Sequence, residues 1–407
     1  MSYSLTKATS WNLAGYTYLI LASFFSVPIL VNSLGVTAFS HYALALATLA
    51  VASSFDLGLS AAVIRLLARN DHTDHHSIWS TSLTLFFVTG VVAASMATFA
   101  VSRIGLSPSL FPIIFFHTLA THILAHYLTL PQAHGRFDLY NLRTFIVGTA
   151  NTLIAAFLAS SGYGIDVLLI TQLIASVITI SILTHYSHHH FHLPPVRPSR
   201  IHSRRLLGFG LKNQAGKLMG QVGAQYAKFL LAPVSAIAVT AYSIAQGVVL
   251  KLAGGLTQLS TALYPASSAH AQSKKLQQTY HRLQLVILAL SVTGLALYFT
   301  FGLRFLTWWL TDLTLVSNVH SVLIILIPYL AVLMLTPLAS TILDSHNRPG
   351  LTSLFTTLTI ALEITLALIL LPSRGLLAPP IAALVSVVLT TPALLIVTDR
   401  TLRSKVK

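Results

Sequence analysis

Long apolar runs separated by short polar breaks dominate the chain, and twelve of them approach the roughly 20 residues that a helix needs to cross a bilayer core. They fall at about 11–34, 41–66, 79–102, 109–131, 141–161, 166–185, 207–231, 235–263, 283–303, 319–342, 350–371 and 377–398. The second, seventh and eighth are longer than the rest and carry polar residues inside. Connections are short, and the longest, 186–206, separates the sixth run from the seventh. The pattern predicts an all-α integral membrane protein of about twelve transmembrane helices. It divides into a six-helix lobe over 1–185, a basic and His-rich cytoplasmic linker over 186–206, and a second six-helix lobe over 207–407. No connection is long enough for a soluble catalytic domain, so the chain reads as a transporter and not an enzyme. The first run is long, lacks a small-residue cleavage site after it and is preceded by Lys7 alone, which marks a retained span and not a signal peptide. Pro28, Pro328 and Pro337 fall inside spans and predict kinks whose freed carbonyls need other donors.

Composition agrees, since 55% of the 407 residues are hydrophobic and only 8% are charged. A surface so poor in charge must face lipid. The formal charge of +15 comes from 24 basic against 9 acidic residues. In a water-soluble chain that excess would suggest nucleic acid, but here its distribution explains it. Lys7, Arg65, Arg69, Arg136, Arg143, Arg197, Arg200, Arg204, Arg205, Lys274, Lys275, Arg282, Arg348, Arg400, Arg403, Lys405 and Lys407 fall on one side of the predicted topology. Only Arg103, Arg304 and Arg374 fall on the other. The positive-inside rule then places both termini in the cytoplasm, and no nucleic-acid partner is expected. Trp11 and Trp79 at cytoplasmic span starts, with Trp308 and Trp309 at an outer span end, read as an aromatic belt. Without cysteine there are no disulfides and no thiolate metal sites.

The halves resemble each other. Residues 38–45 align with 238–245, and 59–63 with 259–263, at one offset; a second offset sets Arg136 on Arg348 and Asn151 on Glu363. Six spans per half make parallel repeats, an arrangement whose substrate sites lie near the midplane between halves.

Ionisable residues inside spans are costly, at least about 2.5 kcal/mol each, and by default they face a cavity. Asn213, Lys217, Gln221, Gln225 and Lys228 recur at helical spacing and form one polar face of span seven. Gly216, Gly220 and Gly223 lie near that face, and Lys251 sits deep in span eight between Gln246 and Gln258. Lys212 and Lys228 are close enough to span ends to snorkel; Lys217 and Lys251 are not. A cationic vestibule of this kind suits a phosphate or pyrophosphate. Glu363 is the one acid deep enough in the second half to neutralise it. Asp56 stands between two readings, a proton or cation site and an ion-pair partner for a lysine. Asn12 and Tyr16 are read either as cavity-facing or as capping and anchoring groups. His72, His75, His76, His185, His188, His189, His190, His192 and His202 fall in loops without accompanying carboxylates and are read as solvated rather than metal-binding. His122 and His126, one turn apart, suggest packed polar groups more than a proton relay.

Asn12-x-x-Gly15, an apolar span, Leu34-Gly35-Val36-Thr37-Ala38-Phe39-Ser40-His41-Tyr42, and then Phe55-Asp56-Leu57-Gly58-Leu59-Ser60 with Arg65 together resemble the start of Wzx-type polysaccharide flippases. These belong to the multidrug/oligosaccharidyl-lipid/polysaccharide exporter superfamily, and the arrangement of six plus six spans extends the likeness over the whole chain. The resemblance implies translocation of an undecaprenyl-pyrophosphate-linked oligosaccharide across a bacterial inner membrane, with two lobes around a central cationic cavity. Lys217, Lys251 and Arg65 would bind the pyrophosphate, and Asp56 or Glu363 would carry any proton or sodium coupling. No cofactor or metal is expected; the partners are the lipid-linked substrate, membrane lipids and other polysaccharide-assembly proteins. Twelve spans, not fourteen, argue against the peptidoglycan-precursor branch. A cation-coupled multidrug exporter of the same superfamily is the main alternative, although cationic drugs suit an acidic cavity better. A membrane-embedded glycosyltransferase or polymerase would need paired carboxylates or a large outer loop, and a passive scaffold would not need deep lysines.

Overall fold

A computed structural model describes residues 5–68, 75–191, 198–261, 274–346 and 348–404. Arg69, His72, His192, Arg197, Lys405 and Lys407 lie outside the described residues, as do the side chains of Lys7, His190, Lys212, Asn213, Gly216, Gln258, Lys274 and Lys275. Among the described residues the regular structure is entirely helical. The chain runs through α1 (Leu5–Ser53), α2 (Leu59–Leu67), α3 (His75–Arg103), α4 (Leu110–Ala133), α5 (Phe137–Tyr140), α6 (Leu142–Thr149), a π-helical segment (Ala150–Ile154), α7 (Ala155–Ser160) and α8 (Ile165–Phe191). There follow α9 (Arg200–Leu231), α10 (Ala236–Thr261), α11 (Lys274–Trp309), α12 (Leu313–Leu333), α13 (Thr336–Ser345), α14 (Pro349–Arg374) and α15 (Ala378–Ser404).

Nine stretches among the described residues are long and apolar enough to cross a membrane. Two of them hold two spans each. At 1.5 Å per residue the 49 residues of α1 would reach about 74 Å, far beyond one bilayer. Gly35, at φ 74 and ψ 166, breaks the helix there. The stretch Pro349–Arg403 likewise divides at Gly375, whose φ is 51. Helix α9 carries too many polar residues to register by hydropathy and supplies the remaining span, which restores the expected twelve.

The chain packs as two compact units, Met1–Gln225 and Tyr226–Lys407, with the boundary inside α9. In the first unit, Leu59, Val63, Trp79, Phe86, Leu130 and Leu206 form one buried cluster, so the start of α9 belongs to its core. Leu124, Leu128, Val147, Ala150, Ala175 and Leu183 form another, joining α4 and α8 through span five. The second unit is built on Tyr280, Ile287, Leu338, Ile342 and Leu402, with Ala339, Leu343 and Leu394 beside them. The expected lobes over 1–185 and 207–407, joined by 186–206, rest on the sequence repeat, whereas these units rest on packing. The two positions paired at the second offset do occupy like places in their own units. Arg136 and Arg348 each precede a helix as its N-cap, and Asn151 and Glu363 each fall within the span that follows.

Three expectations need correction. Trp79 is not a belt residue: it is 5% exposed and its ring lies 3.9 Å from that of His126. Trp308, at 71% exposed, does suit an interface. The histidines expected in loops are helical, with His75 and His76 opening α3, His185, His188 and His189 extending α8, and His202 in the first turn of α9. Pro337 does not kink a continuous helix; it stands in the first turn of α13, where its missing N–H costs nothing.

Candidate substrate cavity

The site begins with a break in span two. Helix α1 ends at Ser53, α2 begins at Leu59, and between them Leu57 (φ 50) and Gly58 (φ 69) both adopt left-handed backbone. For a leucine this conformation costs on the order of 1–3 kcal/mol and survives only when its surroundings enforce it. Asp56 supplies part of that enforcement. Its carboxylate accepts hydrogen bonds from the Gly58 N–H (3.1 Å), the Ser60 N–H (3.4 Å) and the Ser60 hydroxyl (2.5 Å). It therefore satisfies donors at the start of α2 that have no helical acceptor.

Helix α9 supplies the rest. Gly210, Gln214, Lys217 and Gln221 recur at intervals of four, three and four, on one helical face. A Cβ on Gly58 would lie 2.2 Å from the Gly210 carbonyl oxygen, and one on Gly210 would lie 2.3 Å from the Leu57 carbonyl oxygen, so the two backbones touch. Gln214 Nε2 donates to the Ser54 carbonyl at 2.8 Å, one of those left open by the break. Lys217 Nζ lies 2.8 Å from Asp56 Oδ1; the acid is 1% exposed, the lysine 46%. Asp56 is thus an ion-pair partner in this state, and its charge offsets that of the lysine. The desolvation cost of a lone buried carboxylate explains why the pair forms.

Beyond this pair lies a cavity of about 560 Å³ within the first unit. Lys217 and Gln221 line it from α9, Ser53, Ser54 and Ser60 from the break, His117, Thr121, Thr129 and Gln132 from α4, Tyr140, Arg143 and Asn151 from span five, and Gln172 from α8. Leu46, Leu49, Leu128 and Val147 supply apolar wall. Three of these lining residues carry a buried acceptor-capable atom with no protein partner, His117 Nδ1, Asn151 Oδ1 and Gln172 Oε1, which a shift of the wall would offer to water or a ligand hydroxyl. Asn151 sits in the π-helical segment, a distortion that re-aims side chains and is frequent at functional sites. With Asp56 offsetting Lys217, the exposed Arg143 leaves the wall net positive.

The other candidates are placed elsewhere. Asn12 accepts a hydrogen bond from Asn141 Nδ2 at 2.8 Å and ties span one to span five. Arg65 is not among the cavity-lining residues; its guanidinium lies 4.6 Å from the Phe209 ring centroid. Gln225 is half-buried on α9 and is not part of the wall; the Asn213 side chain lies outside the described residues. In the second unit, Lys228 and Lys251 are half-buried and near enough to repel each other. Glu363, 7% exposed, accepts a hydrogen bond from the Tyr226 hydroxyl at 3.0 Å, with Tyr242 and Tyr329 within electrostatic reach. His126 Nδ1 pairs with the Ser82 hydroxyl at 3.2 Å, and His122 Nδ1 donates to the Thr118 carbonyl at 3.0 Å, consistent with packed polar groups. Sequence reading passed over Arg143, His117, Asn151, Gln172, Gly210 and Gln214. The signal for Gln214 and Gly210 was their spacing from Lys217; Arg143 looked like one loop charge among many.

Residues 5–271 match the model of the polysaccharide biosynthesis protein family. The chain belongs to that family. Over 329 residues it is 24% identical to a putative O-antigen transporter of Shigella flexneri, covering 74% of this chain and 77% of that protein. Among solved structures it is similar to the inward-facing conformation of a multidrug resistance MATE family transporter of the MOP superfamily, with TM-score 0.72, 15% identity, and coverage of 98% and 96% of the two chains. It is also similar to a MOP superfamily transporter from Pyrococcus furiosus described as having a binding pocket of reversed polarity, with TM-score 0.59, 16% identity, and coverage of 98% and 95%. This member of the polysaccharide biosynthesis family therefore has the MOP transporter fold, and the likeness to Wzx-type flippases carried by residues 12–65 holds at the level of family and fold.

Proposed function

We propose that this protein moves an undecaprenyl-pyrophosphate-linked oligosaccharide from the cytoplasmic to the outer leaflet of a bacterial inner membrane by alternating access, with both termini cytoplasmic. The observation that carries this reading is the cavity of the first unit, where Arg143 and Lys217 stand among amides and hydroxyls. Cationic donors suit a pyrophosphate, and hydrogen-bonding groups with open valences suit sugar hydroxyls. Lys228 and Lys251 are proposed as further contacts to the anion. A cation-coupled multidrug exporter has the MATE likeness in its favour, but among the described residues no carboxylate lines this cavity, and Asp56 beside it is already bound to Lys217.

The test uses the purified protein in proteoliposomes with a labelled lipid-linked oligosaccharide, scoring label that becomes accessible on the far leaflet. Arg143→Gln is expected to slow this at least about tenfold, the worth of a charged hydrogen bond, without lowering the amount of folded protein. A wild-type protein that expels organic cations but leaves the lipid-linked sugar in place would overturn the reading.

Glu363 is proposed as the coupling site, for a proton or for sodium. Its burial beside the Tyr226 hydroxyl makes an uncompensated charge costly, so cation binding there would change the energy of the second unit. Glu363→Gln keeps a hydrogen-bonding group and removes the charge. Flipping in that variant is expected to become independent of an imposed proton or sodium gradient, whereas a wild-type response would rule the residue out.

A further inference from the structure

The second unit has a groove that the transport cavity does not use. It encloses about 630 Å³ beside α11 and α15, with the residues leading into α13 contributing to its lining. Leu285, Leu288, Leu335, Leu395 and Ile396 make its length apolar. Three of these stand open, Leu285 at 66%, Leu288 at 46% and Ile396 at 53% exposed, so the groove presents an uncovered apolar face. At one end it turns polar. There His281 Nε2 lies 3.3 Å from Asp399, and Arg403 Nε donates to the same carboxylate at 2.8 Å. Arg403 remains 70% exposed, and Arg400 is exposed beside it. The approach of His281 to Asp399 brings α11 beside α15 at this end and leaves the apolar part below it open. Gln284 marks the transition: its Nε2 donates to the Leu335 carbonyl at 3.0 Å and to the Tyr280 hydroxyl at 3.1 Å, while its buried Oε1 has no protein partner.

Two arginines at the mouth and an open apolar trough below them form a sequence of chemistries that matches one class of molecule. An acyl chain covers leucine and isoleucine, and a phosphate meets the guanidinium groups, whose charge Asp399 offsets only in part. The cationic end lies where the positive-inside rule sets the cytoplasmic surface, which Arg282 on the same end of α11 supports. We propose that this groove is a binding site for an anionic phospholipid of the cytoplasmic leaflet, for which phosphatidylglycerol serves as the probe. The lipid occupies it as a resident of the second unit and not as transported cargo, because none of its lining is shared with the first unit's cavity.

Native mass spectrometry of the full-length protein, released from mixed micelles holding equal phosphatidylglycerol and phosphatidylcholine of the same acyl chains, reads the site directly. Wild-type protein is expected to retain phosphatidylglycerol preferentially. Arg400→Gln with Arg403→Gln should lower that retention by roughly fivefold for each arginine. Leu288→Trp, which fills the trough and keeps every charge, should also lower it, and it keeps the site testable if the arginine pair fails to fold. Equal retention of the two lipids by wild-type protein, or undiminished phosphatidylglycerol on the Leu288→Trp variant, would overturn the proposal. So would displacement of phosphatidylglycerol by an equal amount of undecaprenyl phosphate, because it would make the groove a cargo site.

Discussion

Gly210→Ala should cost the first unit about 3 kcal/mol and sharply reduce the amount of folded protein recovered from membranes. A methyl group there would stand 2.3 Å from the Leu57 carbonyl oxygen and 3.0 Å from the Gly58 carbonyl carbon. Both are backbone atoms, so no side chain can swing aside, and relief requires moving α9 or the break in span two. Overpacking against yielding side chains costs about 1–3 kcal/mol, and rigid neighbours place this case at the upper end. Gly58→Ala meets the same contact from the other side, at 2.2 Å from the Gly210 carbonyl oxygen, and adds the penalty of a side chain at φ 69. Gly208 is the control. It is helical, two residues away and has nothing within 4 Å of an added Cβ, so Gly208→Ala should be neutral or slightly stabilising. Thermal unfolding of the three variants in detergent, followed by the loss of monodisperse protein, measures the contrast. Equal behaviour of Gly208→Ala and Gly210→Ala would remove the backbone contact from the account.

Lys217→Ala is the second large effect, and it should act twice. Breaking a fully buried pair costs about 3–5 kcal/mol because a charge is left without a partner. Lys217 is half exposed, and three other donors still serve Asp56, so about 2 kcal/mol is the expected loss of stability. Transport should fall as well, by tenfold or more, since the ammonium also lines the cavity. Asp56→Asn introduced together with Lys217→Ala separates these effects. The neutral amide no longer needs a cation, so the double variant should regain most of the lost stability while the deficit in flipping persists. Recovery of flipping along with stability would reduce Lys217 to a structural role.

Much of the architecture was legible because a bilayer imposes a length. Runs such as 79–102 and 109–131 correspond to α3 and α4 within a few residues, since apolar content and the bilayer thickness fix both ends. Span two was harder. Its sequence leaves Asp56 open between a proton or cation site and an ion-pair partner, and the contacts of Asp56 and Gly210 show the left-handed pair to be an enforced break. In span seven, periodicity found a polar face but set it on Asn213, Lys217, Gln221, Gln225 and Lys228. The contacts of the first unit run along Gly210, Gln214, Lys217 and Gln221, shifted toward the start of the helix. A helical wheel cannot choose between faces that share two residues; a partner does. Arg65 and Asn12 show the same limit. Each is polar at a plausible depth, and each is held by a neighbour, Phe209 or Asn141, that no spacing rule connects to it.

The latch between α9 and the break in span two also sets an order of events during synthesis. The first six spans end by Phe191, but Gly210, Gln214 and Lys217 are made afterwards. At about 5–20 residues per second, the ribosome needs roughly one to six seconds to pass from Phe191 to Lys217. Throughout that interval Asp56 already lies in the membrane without its lysine, and the Ser54 carbonyl without its amide. Insertion of the first six spans and completion of their fold are therefore separate in time. The nascent chain has to keep this one polar seam hydrated, or held by the insertion machinery, until span seven arrives to close it.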